Sequence, residues 1–299
     1  MNLSLEVLVQ QLLNGISLGG LYSLLAIGYT MVYGILRLIN FAHGDVFMIG
    51  AYTAFFLVGV FHLPWWISAP LTALLTAMVG VTIDRAAYRP LRDQPRISAL
   101  ITAVGISFFI ENLGLVVVGG RPRGMPVPPA FAGSYALGPF RVPGVTVWVP
   151  VLTLLLVGAL LVLIYRTRAG MAMRALSRDI EATRLMGVDV DRVISYTFAL
   201  GSALAAAGGI MWSFQFPQVN PLMGIYPGWK AFTAAVVGGI GNVVGAMVGG
   251  FVIGIVEIMT VGLMPHLSGY RDAVVFALLV FFLLVRPTGI LGEPLKEKV

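Results

Sequence analysis

The chain has 299 residues, of which 58% are hydrophobic and only 11% carry a charge. Soluble domains usually contain about 45–50% apolar and about 25% charged residues, so this composition excludes an ordinary water-soluble fold and predicts a protein that lies in lipid. The net charge of +6 comes from arginines in short segments between apolar runs, which is typical of a membrane protein and not of a nucleic-acid binder. The sequence has no cysteine, which excludes disulfides, thiolate metal sites and a cysteine nucleophile.

Seven apolar runs are long enough to cross a bilayer, because a spanning helix needs about 20 apolar residues. In chain order they cover residues 8–36, 44–62, 65–83, 97–118, 147–165, 193–214 and 270–286. The first basic residue, Arg37, follows the first run, so we expect this run to be a retained helix and not a secretory signal. The pattern predicts an all-α, polytopic membrane fold with about seven or eight transmembrane helices.

The stretch 228–264 is also apolar, but glycines interrupt its helical pattern. They are Gly238, Gly239, Gly241, Gly245, Gly249, Gly250 and Gly254. Because a glycine costs up to about 1 kcal/mol in a helix interior, we predict a broken or re-entrant element here.

Basic residues are distributed unevenly between the two sides of the predicted helices. Fourteen of the 19 lie on one side, in residues 84–96 and 166–192, at Arg37 and in the C-terminal tail. The other five are Arg121, Arg123, Arg141, Lys230 and Arg271. The positive-inside rule places the richer side in the cytoplasm, which predicts an outer N-terminus, an inner C-terminus and a segment 228–264 that enters the membrane and returns. A Pro- and Gly-rich outer loop, 119–146, is predicted to be an irregular cap.

Motifs of soluble enzymes are absent or are better explained by helix packing. None of the lysines stands in a Walker A frame, so the chain is not expected to bind ATP through a P-loop. Residues 15–19 match the GxSxG pattern of a nucleophile elbow, but they lie in a predicted membrane helix, and we interpret Gly15 and Gly19 as packing residues. No metal site or cofactor is predicted, because the three histidines do not pair at helical spacing.

Polar side chains within or beside the apolar runs are the candidates for a pathway through the membrane. Such side chains are costly in hydrocarbon unless they face protein or water. The candidates are Tyr22, Asn40, His43, Glu111, Asn112, Gln215, Asn242 and Glu257. A buried structural role is the alternative for Glu111 and Glu257. Asp45 belongs to the same group, with a helix N-cap as its alternative role.

The inner loop 166–192 contains a predicted amphipathic helix over residues 172–186. Gly187 follows it at the position of a helix C-cap, and Asp189 or Asp191 is expected to cap the next spanning helix. The predicted apolar contacts are Met171, Ala175, Ile180 and Leu185. A capped cytoplasmic helix suits docking to a soluble partner. A lipid-bound interfacial helix is the alternative, which the four acids of the loop disfavour.

Within this loop, Glu181 and Ala182 followed by Gly187 resemble the EAA loop of ABC-importer permeases, with the same spacing between glutamate and glycine. Thr183 stands where that loop usually has a second alanine. In that family the loop is a coupling helix that enters a cleft on the ATPase subunit. The resemblance therefore implies that Arg178, Glu181, Ala182 and Gly187 couple this chain to an ATPase.

Longer stretches of the sequence resemble the permeases of high-affinity branched-chain amino acid ABC importers. Each such importer has two permeases, and the resemblance is to the shorter one. The stretches are residues 14–52, 84–92 (DRAAYRPLR), 187–209, 228–250 and 286–292 (RPTGILG). The resemblance implies a single transmembrane permease domain over residues 1–299, in the bacterial inner membrane, which moves branched-chain or related hydrophobic amino acids by alternating access.

The same resemblance implies which molecules this chain works with. They are a homologous second permease, two ATP-binding subunits, a periplasmic substrate-binding protein, an amino-acid substrate and membrane lipid, with no nucleic acid. It also implies that ATP hydrolysis belongs to the partner subunits and not to this chain. A permease for another small solute, of sugar or amide type, and a secondary transporter are the alternatives.

Overall fold

The computed structural model describes residues 5–92, 94–137 and 140–292. Its helices are α1 (Leu5–Leu36), α2 (His43–Ala54), α3 (Trp65–Ile83), α4 (Arg96–Val118), α5 (Pro129–Ala132), α6 (Gly144–Arg166), α7 (Arg168–Arg178), α8 (Ile180–Leu185), α9 (Val190–Gln215), α10 (Ile225–Gly238), α11 (Val243–Leu263) and α12 (Arg271–Val285). Two π-helical stretches, Phe55–Val60 and Asp84–Tyr88, continue α2 and α3, and 3-10 turns lie at Arg89–Leu91 and Pro265–Tyr270. Eight helical segments of the described residues are long and apolar enough to cross a membrane, which confirms the predicted fold class.

Short strands form two antiparallel pairs in the loops. β1 (Arg123–Gly124) pairs with β4 (Gln218–Val219), and β2 (Ser134–Leu137) pairs with β3 (Phe140–Pro143). Together with α5, these strands make the outer loop 119–146 more regular than predicted, because backbone groups that leave a helix end still need hydrogen-bond partners.

Helix α1 lies at the centre of the bundle, and 94% of its most apolar 18-residue stretch is buried. A helix that is apolar on every side requires such surroundings. Its neighbour α11 runs antiparallel to it, with Gly15 beside Ile255 and Gly19 beside Phe251. A Cβ atom on Gly254 would lie 2.2 Å from the amide nitrogen of Gly19, so this approach of two backbones requires glycine. The packing interpretation of Gly15 and Gly19 is confirmed.

The apolar stretch 228–264 forms two helices, α10 and α11, joined by a turn at residues 239–242. Gly239 and Gly241 have φ angles of 112° and 98°, which only glycine adopts easily. The helices run antiparallel, since Gly238 lies beside Gly245 and Ala234 beside Gly249. With 14 residues, α10 is about 21 Å long, too short for a full crossing, whereas the 21 residues of α11 are enough. The break is confirmed, but only its first half resembles a re-entrant helix.

The loops that carry most of the arginines meet at one end of the bundle. Arg89 pairs with Asp191 at 2.6 Å, which joins the two arginine-rich loops. Gly241 lies beside Gly34, near the C-terminal end of α1. The paired strands β1 and β4 lie in two loops that are predicted for the opposite side. The two arginine-rich loops therefore lie on one side of the bundle, as the charge distribution predicts, and the assignment of that side to the cytoplasm stays a prediction.

Single cysteines can test this orientation without background labelling, because the chain contains none of its own. Ser134 and Met171 are exposed and lie in the predicted outer and inner loops. We expect a membrane-impermeant thiol reagent applied outside the cytoplasmic membrane to label the Ser134→Cys variant and to leave Met171→Cys unlabelled until the membrane is broken. The reverse pattern would invert the topology. Cysteines at Ser4 and Lys298 would report on the two terminal segments in the same way, and both positions lie outside the described residues.

Candidate functional site

A cavity of about 290 Å³ lies where α2, α4 and α10 meet α1. Small-molecule sites usually have volumes of about 300–1,000 Å³, so this cavity suits a small solute. Its polar lining consists of Tyr29, Asp45, Ser107 and Glu111, and its aromatic lining of Phe41, Phe108 and Trp229. The cavity therefore combines an acidic side with an apolar wall.

Glycines allow the first turns of α2 and α10 to meet at this cavity. A Cβ atom on Gly224 would lie 2.1 Å from the carbonyl oxygen of Gly44, and one on Gly44 would lie 2.6 Å from that of Gly224. On the other side of α2, a Cβ atom on Gly28 would lie 2.2 Å from Nε2 of His43. The first N–H groups of a helix lack intrahelical partners and carry a partial positive charge, so two helix starts bring positive potential to the cavity.

The two carboxylates of the cavity come from different helices. Asp45 is buried in the first turn of α2, and its Oδ2 accepts a hydrogen bond from the Ser107 hydroxyl at 2.5 Å. Glu111 lies one turn further along α4 than Ser107. The N-cap position of α2 belongs to Ala42, which makes no side-chain cap bond, so the alternative role considered for Asp45 is wrong. Asp45 instead ties α2 to α4 and faces the cavity.

A larger cavity, of about 440 Å³, lies between α3, α6 and α9. Its lining is almost entirely apolar, and the hydroxyl of its Ser68 donates to the carbonyl oxygen of Leu63. A charged or zwitterionic solute would find no polar partner there, so we take the smaller cavity as the candidate site.

Of the eight residues named as pathway candidates, Glu111 lines this cavity, together with Asp45 of the same group. Tyr22 and Glu257 meet elsewhere, in a buried charge network: Oε2 of Glu257 accepts a hydrogen bond from the Tyr22 hydroxyl at 2.8 Å. Lys230 Nζ lies 2.6 Å from Oε1 of Glu257 and 2.7 Å from Oδ1 of Asp272. This network joins α1, α10, α11 and α12 and favours the structural alternative for Glu257.

Two further pathway candidates lie next to the cavity without lining it. Asn40 accepts a hydrogen bond from the Tyr88 hydroxyl at 2.9 Å. His43 is buried, and its ring meets that of Tyr29 edge-on, with centroids 4.8 Å apart. Both residues belong to the segment that connects α1 to the first turn of α2.

The remaining three candidates lie apart from the cavity lining. Asn242 caps α11 by accepting from the backbone N–H of Gly245 at 3.0 Å. Asn112 is exposed, and its amide group donates to the carbonyl of Phe108. Gln215 ends α9, and its Oε1 is buried without a hydrogen-bond partner among the described residues.

Sequence reasoning missed Lys230, which it counted among the basic residues of the outer side. The structure buries this lysine in α10 with only 4% of its surface exposed. The sequence does carry a signal, because a lone lysine in an apolar run requires a buried acid as partner. That acid, Glu257, is 27 residues further along the chain, and nothing local identifies it.

The inner loop 166–192 contains two helices, α7 and α8, where one helix was predicted over residues 172–186. Asp179 interrupts the helical path with φ −157° and ψ 112°, and its carboxylate accepts from the backbone N–H of Ala182 at 3.0 Å. An aspartate can satisfy the free N–H groups of a new helix, so it favours a fresh start over continuation. Thr167 caps α7 in the same way, by accepting from Gly170 N.

The end of α8 follows the prediction. Gly187 has φ +82°, its N–H donates to the carbonyl of Arg184, and the N–H of Val188 donates to that of Thr183, which is a Schellman motif. Asp189 then caps α9 by accepting from the backbone N–H of the third residue after it. These local signals redirect the chain from the loop into a spanning helix.

The residues that the loop buries differ from the predicted ones. Of the four predicted apolar contacts, Ile180 packs against the core, whereas Met171, Ala175 and Leu185 are exposed. The buried residues of α7 are Gly170, Met173 and Leu176. We call the exposed residues Glu181, Leu185 and Met186 the loop tip; Leu185 and Met186 are 88% and 83% exposed.

Comparison with known proteins gives a consistent family. A family model described as "Branched-chain amino acid transport system / permease component" matches residues 11–283. The chain is 41% identical to the high-affinity branched-chain amino acid transport system permease protein BraD of Pseudomonas aeruginosa, over 97% of this chain and 98% of that protein. It is also 41% identical to the corresponding permease LivH of Escherichia coli K12, over 97% of each.

A more distant relative is the xylose transport system permease protein XylH of Escherichia coli K12, which is 26% identical over 63% of this chain and 57% of that protein. The family match and the two relatives at 41% identity cover nearly the whole chain, including the cavity and the loop tip. The chain is therefore a multi-pass membrane protein that belongs to the family of permease components of branched-chain amino acid transport systems.

Proposed function

We propose that this chain is the membrane-spanning permease subunit of an ABC importer that moves branched-chain amino acids across the bacterial inner membrane. Family membership supports the class of protein, and the cavity between α2, α4 and α10 carries the proposal that a small solute passes here. The chain forms one permease domain, and the energy comes from ATP hydrolysis on partner subunits.

The lining of the cavity matches the chemistry of a zwitterionic amino acid with an apolar side chain. Asp45 and Glu111 offer carboxylates to an ammonium group, and the N-terminal end of α10 offers positive potential to a carboxylate. Phe41 and Trp229, whose rings are 5.4 Å apart, offer an apolar surface to the side chain. Selectivity among such solutes is assigned to the periplasmic binding protein.

A second, homologous permease completes the pathway in this proposal. Phe108 and Trp229 at the cavity are 60% and 47% exposed in the single chain. If this exposed side of the cavity faced lipid, Glu111 would lie close to hydrocarbon, which is costly for an ionisable side chain. A second protein surface that covers the opening removes that cost and encloses the solute.

The loop 166–192 is the proposed contact with one of two ATP-binding subunits. The loop tip exposes two large apolar side chains next to the carboxylate of Glu181, which suits a protein cleft better than an anionic lipid surface. Arg178 and Ala182 lie beside it on α7 and α8. Movement of this loop then biases the two arrangements of the spanning helices that alternating access requires.

Uptake by the reconstituted transporter tests the proposal through Glu111→Gln. The substitution keeps the shape of the side chain and removes its charge, so uptake of leucine, isoleucine and valine should fall about tenfold or more, the scale of one charge-assisted hydrogen bond. Asn112→Ala is the matched control, because this neighbour is exposed and lies outside the cavity lining. Equal uptake by both variants would contradict the proposal that the solute passes through this cavity. Transport of xylose in place of the amino acids would favour the sugar alternative.

A further inference from the structure

Ion pairs connect the end of the loop 166–192, which we call the coupling loop, to the inner end of α3. Asp191, in the first turn of α9, binds Arg89 at 2.6 Å and also binds Arg92. Arg92 pairs in addition with Asp84 at 2.6 Å, and the second oxygen of Asp84 accepts a hydrogen bond from Ser195 at 2.5 Å. The Asp84 side chain is fully buried and that of Arg92 is 13% exposed. A single guanidinium therefore bridges two carboxylates from two helices.

Hydrogen bonds continue from this cluster to the cavity. Tyr88 follows Asp84 by one helical turn, and its ring packs on Phe198 of α9 with centroids 5.3 Å apart. Its hydroxyl donates to Oδ1 of Asn40 at 2.9 Å, and both residues are at most 4% exposed. The residue after Asn40 is Phe41, whose side chain lines the cavity. Asp84–Tyr88 is a π-helical turn, a feature frequently found at functional sites.

We propose that these residues form a polar path that transmits movement of the coupling loop to the cavity. The polar path consists of Asp84, Tyr88, Arg89, Arg92, Asp191 and Asn40. The inference rests on the proposed function, because it assumes that the loop tip is moved by an ATPase. Its members are positioning residues and need not touch the solute.

The physical reason is that buried polar groups keep their partners, whereas apolar side chains slide past one another at little cost. Separating Arg92 from Asp84 leaves a fully buried carboxylate without its ion-pair partner, and Ser195 of α9 binds the same carboxylate. When α9 moves at Asp191, the segment 84–92 must therefore follow, and Tyr88 then displaces Asn40 and the start of α2. Coupling through such a network requires energetic evidence, which mutational cycles supply.

Two mild substitutions test the path in the complete transporter, reconstituted in proteoliposomes with its ATPases and binding protein. Tyr88→Phe removes one hydroxyl and keeps the ring, and Arg89→Gln removes an ion pair in which the arginine is 52% exposed, so both variants should fold. Tyr52→Phe is the first control, since its buried hydroxyl has no hydrogen-bond partner among the described residues. Arg192→Gln is the second, since this arginine pairs with Asp189 within the same helix start.

The readout is the ratio of ATPase activity with and without loaded binding protein. Tyr88→Phe should lower this ratio about two- to tenfold, the effect of one hydrogen bond. Arg89→Gln should lower it up to about fivefold, as for an exposed ion pair. Basal ATPase activity and both controls should stay at wild-type values. The double variant should fall little below Tyr88→Phe alone, because two breaks in one path are not additive.

Different results separate the path from the function on which it rests. If the wild-type transporter is stimulated and Tyr88→Phe is stimulated equally, or if Tyr52→Phe loses as much, the path is overturned and the proposed function stands. If the wild-type transporter is not stimulated by loaded binding protein at all, the proposed function is overturned and the path with it.

Discussion

The Lys230→Met variant is expected to reach the membrane in greatly reduced amounts and to melt at a much lower temperature in detergent. Glu257 and Asp272 would lose the ammonium group that lies 2.6 Å and 2.7 Å from their oxygens. Removing one partner of a buried pair costs about 3–5 kcal/mol, because the remaining charge is left uncompensated. The side chains of Lys230 and Glu257 are each 5% exposed, so water cannot replace the lost partner.

A second substitution distinguishes this charge effect from a loss of packing. Lys230→Met combined with Glu257→Gln removes both charges of the pair and should recover most of the yield and melting temperature. Arg271→Met is the control from the same network, because this arginine is 56% exposed and lies 3.8 Å from Glu257. Wild-type stability of Lys230→Met alone, or no recovery in the double variant, would contradict a stabilising role for this network.

The Gly187→Val variant is expected to accumulate in the membrane and yet to lose most uptake and most stimulation of the ATPase by loaded binding protein. Gly187 has φ +82°, a conformation that a β-branched residue adopts only with strain of about 1–3 kcal/mol. No heavy atom lies within 4 Å of the position that its Cβ would take, so the strain should act on the direction of the chain and not through a clash. The loop tip would then be presented at a wrong angle.

Gly119→Val is the matched control, because Gly119 has φ +80° and equally open surroundings in the predicted outer loop. Because Gly119 has ψ 157°, its strain should lower chain stability at least as much and leave co-purification with the ATPases intact. Glu181→Lys should share the coupling defect of Gly187→Val, since it reverses the charge of the loop tip. If α7 and α8 were instead an interfacial lipid-bound element, Glu181→Lys would bind anionic vesicles more tightly and transport normally.

The arrangement of α10 explains why a short helix can have a large role in this fold. Its N-terminal end lines the cavity, its middle carries Lys230, and its C-terminal end meets the inner end of α1 through the turn at 239–242. The buried charge network around Lys230 holds α10 against α1, α11 and α12. We therefore expect Lys230 to fix the depth at which the start of α10 meets Gly44.

Local patterns in the sequence determined the spans, the turns and the family. The spans were predictable because bilayer thickness sets the number of apolar residues that a helix needs. The C-cap at Gly187 and the N-cap at Asp189 were predictable because capping depends on a few neighbouring residues. The family was predictable because the resemblance extends over most of the chain.

Only the tertiary structure decided which polar residues meet. The pairs Lys230–Glu257 and Asp45–Ser107 join different helices, and Asn40–Tyr88 joins the segment before α2 to the end of α3, at sequence separations of 27, 62 and 48 residues. Each pair depends on the rotation and depth of two helices, and packing fixes both. In spans that are apolar on almost every side, hydrophobic periodicity does not mark the inward face. The cavity is therefore a property of the packed bundle, because α1, α2, α4 and α10 each supply only part of its lining.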